Sequence, residues 1–132
     1  MSFKLSARSR QMLIGVHPDL ARVVQHALMI TPIDFSVVCG LRSLAAQRKL
    51  FTAGKSRTMH SRHLTGHAVD LAPWVGGSIN WADGPHWHQL STALKEAAEL
   101  ESVPVEWGGD WQTFVDKPHW QLPHKEYPDG QA

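Results

Sequence analysis

The stretch Ser61 to Trp74, SRHLTGHAVDLAPW, brings His63, Gly66, His67 and Asp70 close together along the chain. Imidazoles and carboxylates bind divalent cations, and they also pair with one another. Asp70 falls in an alternating run between Ala68 and Ala72, so a charge shares a face with small apolar side chains and needs a partner. A divalent cation supplies one; a salt bridge or hydrogen bond to a histidine supplies another. Gly66 lets the chain turn so that His63 faces back toward Asp70. His63 and His67 have the helical spacing of many zinc pairs, but that pattern needs a glutamate after the first histidine, where this chain has Leu64. Gly66 and the strand-like run after His67 also argue against a helix. His63 is therefore paired with Asp70.

Further along, DKPHW sets Asp116 three residues before His119, with Pro118 stiffening the connection. Alone, these read as solvated loop residues. Joined to the first motif, they give two histidines and one aspartate as ligands, and a spare acid. Three N/O ligands with an open fourth position describe a catalytic zinc site, not a structural one. Such a metal lowers the pKa of bound water to roughly 7. A nearby carboxylate that is not a ligand takes the proton as a carbonyl is attacked, a role that fits Asp116. The alternative without metal is an ordinary polar pair of His63 and Asp70.

These residues need a scaffold. The 132 residues suit one domain, and a chain of that size buries roughly two-thirds of its unfolded surface. A net charge of +1 implies no strong field for nucleic acid or a membrane surface. Nine histidines and six tryptophans fit a polar cleft with aromatic walls. The single cysteine, Cys39, excludes an internal disulfide, and its apolar setting FSVVCG reads as a buried, inert thiol. No run reaches the ~18 apolar residues of a membrane helix, and MSFKLSARSRQ lacks a signal-peptide pattern.

Helices are expected over 6–16 and over 17–30, the second with Pro18 just inside its start and Leu20, Val23, Val24, Ala27 and Leu28 on one face. FSVVCG reads as a buried strand, residues 43–54 as a helix stopped by Gly54, and 55–63 as a polar loop. AVDLAPW reads as a strand stopped by Pro73, with VGGSIN as a hairpin turn. A long helix follows, capped by Asp83, opened by Pro85 and striped by Trp87, Leu90, Leu94, Ala97 and Ala98. VPVEW and HWQL are further short strands, GGDWQTFVDKP a loop, and residues 123–132 a loosely ordered tail. The fold class is α+β, a small antiparallel sheet packed with helices in one domain over 1–132.

At this point the motifs become recognisable. SRHLTGHAVDLAP resembles the S-x-H-x-x-G-x-A-x-D signature of the zinc D-alanyl-D-alanine carboxypeptidase superfamily, whose fold is shared with the Hedgehog signalling domain. EWGGDWQTFVDKPHWQ resembles the corresponding segment of its L-alanyl-D-glutamate endopeptidase branch, which includes phage endolysins and bacterial cell-wall endopeptidases. DFSVVCGLRS is similar to the strand and arginine upstream of that site, so the resemblance runs over about residues 3–122.

The resemblance implies one catalytic Zn2+ held by His63, Asp70 and His119, with Asp116 as general base. It implies that Arg42 holds a substrate carboxylate or the tetrahedral oxyanion, work suited to a planar donor. Ser61, Asp110, Trp107 and Trp111 are expected at the substrate, and Trp120 beneath the metal. His60 and His67 flank the site; His17 and His26 are expected to be solvated, and His86 and His88 to open the long helix. The carboxypeptidase and dipeptidase branches carry Glu-x-x-His where this chain has Asp116 to His119, so the aspartate favours the endopeptidase branch. The expected partner is bacterial peptidoglycan, with no nucleic acid and no membrane insertion, and the expected state is a monomer. Without a signal peptide, the chain would be made in a host cytoplasm and act on the wall after release. The rivals are a D-alanyl-D-alanine carboxypeptidase, a non-catalytic zinc-stabilised wall-binding module, and a protein with no metal.

Overall fold

The computed structural model describes residues 3–56 and 58–128. In chain order it contains α1 (Ala7–Met12), α2 (Pro18–Ile30), β1 (Phe35–Cys39), α3 (Leu44–Thr52), β2 (Ala68–Val75), β3 (Ser78–Ile79), α4 (Pro85–Leu100), β4 (Glu106–Trp107) and β5 (His119–Gln121). Short 3-10 turns occupy Arg62–Thr65 and Gly108–Asp110. The strands run in the order β1-β2-β5-β4, every pairing antiparallel, with β3 folded back on β2. This is the expected α+β arrangement. Among the described residues no helix is long and apolar enough to cross a membrane.

The apolar stripes read from the sequence form the core. α2 buries Leu20, Val23, Val24, Ala27 and Leu28, and α4 buries Trp87, Leu90, Leu94, Ala97 and Ala98. Apart from Trp87, they share one cluster with Val37, Val69, Leu71 and Trp120 from the strands and with Leu122 just past β5. At about 25 cal/mol per Å2 of apolar surface removed from water, this layer is what fixes the sheet against the helices. The period of a strand then decides the rest. With Val69 and Leu71 turned into the core, Asp70 emerges on the opposite face, between the fully buried Ala68 and Ala72.

Several local expectations are corrected. Pro73 does not stop β2, which continues to Val75. β5 is bonded to β2 only as far as Leu71, whose N–H reaches the Pro118 carbonyl, so the missing N–H of Pro73 has no ladder partner to lose. α1 ends at Met12 because Leu13 caps it and Gly15 turns left-handed at φ 86°. The strand expected over 103–107 shrinks to two residues: Pro104 offers no donor, and Val103 N–H bonds back to Ala98. Asp83 does not cap α4; Gly84 holds that position without a side-chain bond, and Asp83 pairs with Lys117. The tail is not loose where it is described. Tyr127 packs against the core and donates its hydroxyl to Asp19 at 2.7 Å, while residues 129–132 lie outside the described residues.

Candidate metal centre

Sheet register assembles the centre. Cys39 on β1 pairs with Asp70 on β2, and Asp70 pairs with His119 on β5. Directly opposed residues of antiparallel strands share a face, so these three side chains form a row. His63 joins from the 3-10 turn beside β2. Ser61 starts that turn, its hydroxyl accepting from His63 N–H at 3.2 Å. Gly66 ends it at φ 77°, where a Cβ would also lie 2.3 Å from the Gly15 carbonyl oxygen. Both the angle and the space demand glycine there.

Hydrogen bonds outside the centre decide which nitrogen each imidazole offers. His63 Nδ1 faces the Gly40 carbonyl at 2.8 Å. A carbonyl only accepts, so Nδ1 carries a proton, and Nε2 is the nitrogen turned to Asp70, able to take an ion once it gives up the proton it donates there in the metal-free protein. That Nε2 stands 3.2 Å from Asp70 Oδ1. His119 Nε2 faces Gln121 Oε1 at 2.8 Å, leaving His119 Nδ1 toward Asp70 Oδ1 at 3.4 Å. The rings are edge-on, with centroids 5.1 Å apart. Two nitrogens therefore converge on one carboxylate oxygen, each oriented by an outer partner, as metal-bound histidines are. Ligands about 2.0–2.1 Å from a tetrahedral ion stand roughly 3.3 Å from each other. The spacing and the donor set fit a zinc ion.

Cys39 also belongs to this neighbourhood. Among the described residues, Cys39, His63 and Asp70 have ligand atoms within 4.8 Å of one another, so the thiol read as inert lies beside the centre. Its sulfur approaches His63 on the Nδ1 edge at 3.8 Å, the edge already committed to Gly40. Burial raises the thiol pKa, but the His63 hydrogen bond and the charges of His63 and Arg42 outweigh it and bring it below the usual range.

The charges are strongly coupled. Burial, the largest single effect, favours neutral His63, yet the bonds to Asp70 and Cys39 and the charge of Asp70 together outweigh it and lift the metal-free imidazole to about 9. Asp70 is held well below the usual carboxylate range, because bonds to His119 and His63 overcome its burial. Asp116 is shifted the other way: burial and the neighbouring negative charge of Asp70 raise it. Two carboxylates in one cleft thus differ in proton affinity, which suits one to ligation and the other to proton transfer.

Asp116 is positioned through its backbone. Its N–H bonds to the Gly108 carbonyl at 2.9 Å, and its own carbonyl accepts from His119 N–H at 3.2 Å. Arg42 reaches in from the loop after β1, with Nη2 3.6 Å from Asp70 Oδ2 and its backbone N–H on the His63 carbonyl at 2.9 Å.

Arg42, Ser61, His63, Asp70, Trp111, Asp116 and His119 all line one open cleft of about 390 Å3. Trp107 and Asp110 do not. Trp107 is opposite Trp120 in the β4–β5 pair and stacks on it, ring centroids 5.6 Å apart, on the core side of the sheet. Asp110 is exposed and pairs with Lys95 of α4 at 2.8 Å. Trp111, by contrast, lies 5.2 Å from the His119 ring. Trp120 packs into the core opposite His119, and His60 lines the cleft. His67 is buried and bonds Thr65 instead. His17 is not simply solvated: it caps α2, and His26 pairs with Glu101 at 2.6 Å. Sequence reasoning missed Gln121 and Gln47. The signal for Gln121 was its place two residues after His119, hence on the same face of a strand.

The chain matches the family model described as phage L-alanyl-D-glutamate peptidase over residues 1–122. It is 33% identical over 119 residues to the L-alanyl-D-glutamate peptidase of Escherichia phage T5, covering 88% of this chain and 87% of that protein. The crystal structure of the Serratia marcescens L-Ala D-Glu endopeptidase ChiX superposes with a TM-score of 0.89 at 46% identity, over 96% of this chain and 95% of that one. The vancomycin-resistance D,D-dipeptidase VanXYg shares the fold, with a TM-score of 0.52 at 19% identity over 84% of this chain and 53% of that one.

Proposed function

The chain belongs to the phage L-alanyl-D-glutamate peptidase family, and on that premise we propose that it is a zinc-dependent endopeptidase of bacterial peptidoglycan. It cuts the bond between L-alanine and D-glutamate in the stem peptide. His63 Nε2, the Asp70 carboxylate and His119 Nδ1 hold the metal. Bound zinc supplies a Lewis acid and makes water at the site more acidic. Cys39 stays outside the ligand set, because one ion cannot use both edges of the His63 ring and Gly40 occupies the nearer one.

Asp116 takes the proton of the attacking water and passes it to the leaving amine, a task its raised proton affinity serves. Arg42 offers its guanidinium to the oxygen that gains charge as the scissile carbonyl becomes tetrahedral. Ser61 and Trp111 border the bound peptide. The protein acts as a monomer at the cell wall, reached after release from the cytoplasm in which it is made, as a lysis enzyme of a phage.

The observation carrying this reading is the convergence of two oriented imidazoles on Asp70, with Asp116, whose carboxyl is raised in proton affinity by burial and by Asp70, in the same cleft. The test is mass spectrometry of muropeptides digested with and without a chelator. The expected products carry a new amino terminus at D-glutamate and vanish with the chelator. Release of free D-alanine would assign a carboxypeptidase instead.

A further inference from the structure

Gln47 is the polar side chain most completely withdrawn from water near the cleft, with no exposed surface. It lies on α3, whose Ser43 cap starts the helix immediately after the Arg42 loop. All its hydrogen-bonding directions toward the site are used. Its Oε1 accepts from Arg42 Nη1 at 2.7 Å. Its Nε2 donates to Ser56 Oγ at 2.8 Å and to the Thr58 carbonyl at 2.7 Å. The amide can sit only this way round. Reversed, its NH2 would face a guanidinium that has no acceptor, and its oxygen would face the Thr58 carbonyl. The orientation is dictated by its neighbours at both ends.

Those neighbours belong to different parts of the cleft. Arg42 points toward Asp70, while Lys55, Ser56, Thr58 and His60 line the same cleft as a wall from a separate loop. The described residues of this wall, 55, 56 and 58–60, have no regular secondary structure of their own. We propose that Gln47 is a positioning residue that joins the Arg42 guanidinium to the wall at Ser56 and Thr58, so that substrate binding at the wall and charge stabilisation by Arg42 occur in one fixed geometry. Gln47 itself touches neither substrate nor reacting atoms. The inference rests on the role given to Arg42 above.

The test is a steady-state series on purified muropeptides with Gln47→Met, Gln47→Glu, Arg42→Ala and the Arg42→Ala, Gln47→Met double variant. Zinc content and melting temperature are measured alongside. Gln47→Met removes both connections without changing volume much, and kcat falls about 10-fold to 100-fold with zinc retained. Gln47→Glu keeps an acceptor for Arg42 but loses both donors to the wall. It raises KM several-fold while holding kcat within about threefold of wild type, and it carries the test where Gln47→Met is too unstable to assay. With Arg42 already replaced, Gln47→Met costs no further kcat. The inference is overturned by an equal loss of kcat in both backgrounds, which marks a purely structural glutamine, or by a fully active Gln47→Met beside an inactive Arg42→Ala. A fully active Arg42→Ala would instead remove the role of Arg42, and this inference with it.

Discussion

Asp70 Oδ1 lies 3.4 Å from His119 Nδ1 across the β2–β5 ladder, a contact made by register rather than by closeness in sequence. The bond of His119 to Gln121 points the ring at Asp70. On the proposed ligand set, metal affinity depends on both partners. Gln121→Leu should weaken zinc binding by roughly 10-fold to 100-fold, the usual cost of losing the outer partner of a ligand histidine. Asp70→Asn, which removes a ligand charge, should weaken it further. Competition titration against a chromophoric chelator measures both, and equal zinc affinities in wild type and Asp70→Asn would contradict the assignment.

The metal-free protein should lose stability toward alkaline pH. His63 is raised from 6.5 to about 9 on folding, so its contribution is fully present below 6.5 and disappears as pH rises through about 9. The amount is on the order of 3 kcal/mol. Zinc binding has the opposite slope, because the ion must displace that proton and binds more tightly as pH rises over the same window. Urea unfolding in chelator at about pH 6 and about pH 10, with Asp70→Asn as the control that flattens the slope, checks the sign.

Asp116→Ala should give a folded, zinc-loaded protein whose kcat is lower by roughly 100-fold to 10,000-fold, the range for a general acid–base group. Gly108→Ala should approach that phenotype indirectly. A Cβ there would lie 2.3 Å from the Asp116 carbonyl oxygen and 3.1 Å from the Cβ atoms of Asp116 and His119. Loss of activity in both variants, measured as muropeptide turnover, separates an enzyme from a wall-binding module, which would be unaffected by Asp116→Ala.

Tyr127→Phe should cost about 1 kcal/mol of stability and leave turnover unchanged. The hydroxyl bonds Asp19, neither residue lining the cleft, and that bond is the largest cause of the lowered Asp19 pKa. Because Asp19 is depressed, its contribution is present above its usual value of 3.8 and is lost as pH falls below it. Thermal melts of the two proteins at neutral and acidic pH should therefore converge in acid.

Much of the site could be read along the chain because its pieces are short-range. His63 and Asp70 are joined by a glycine turn and an alternating strand, and Asp116 and His119 by a single tight connection. The stripes of α2 and α4 were equally plain, since helical period depends on local spacing. What escaped depends on register. Cys39 enters the neighbourhood only because β1 pairs with β2 around an irregularity between Val37 and Cys39. Trp107 faces the core only because β4 aligns it with Trp120. Nothing in the spacing of α3 marks Gln47, whose burial comes with its bonds to Ser56 and Thr58 in the loop that follows the helix.

The most direct measurement is anomalous diffraction at the zinc edge from crystals grown with stoichiometric zinc and no affinity tag. The expected result is a single peak enclosed by His63 Nε2, the Asp70 carboxylate and His119 Nδ1, with Asp116 nearby but not bound. A peak held by Cys39 in place of His119, or no peak between the two imidazoles, would contradict it.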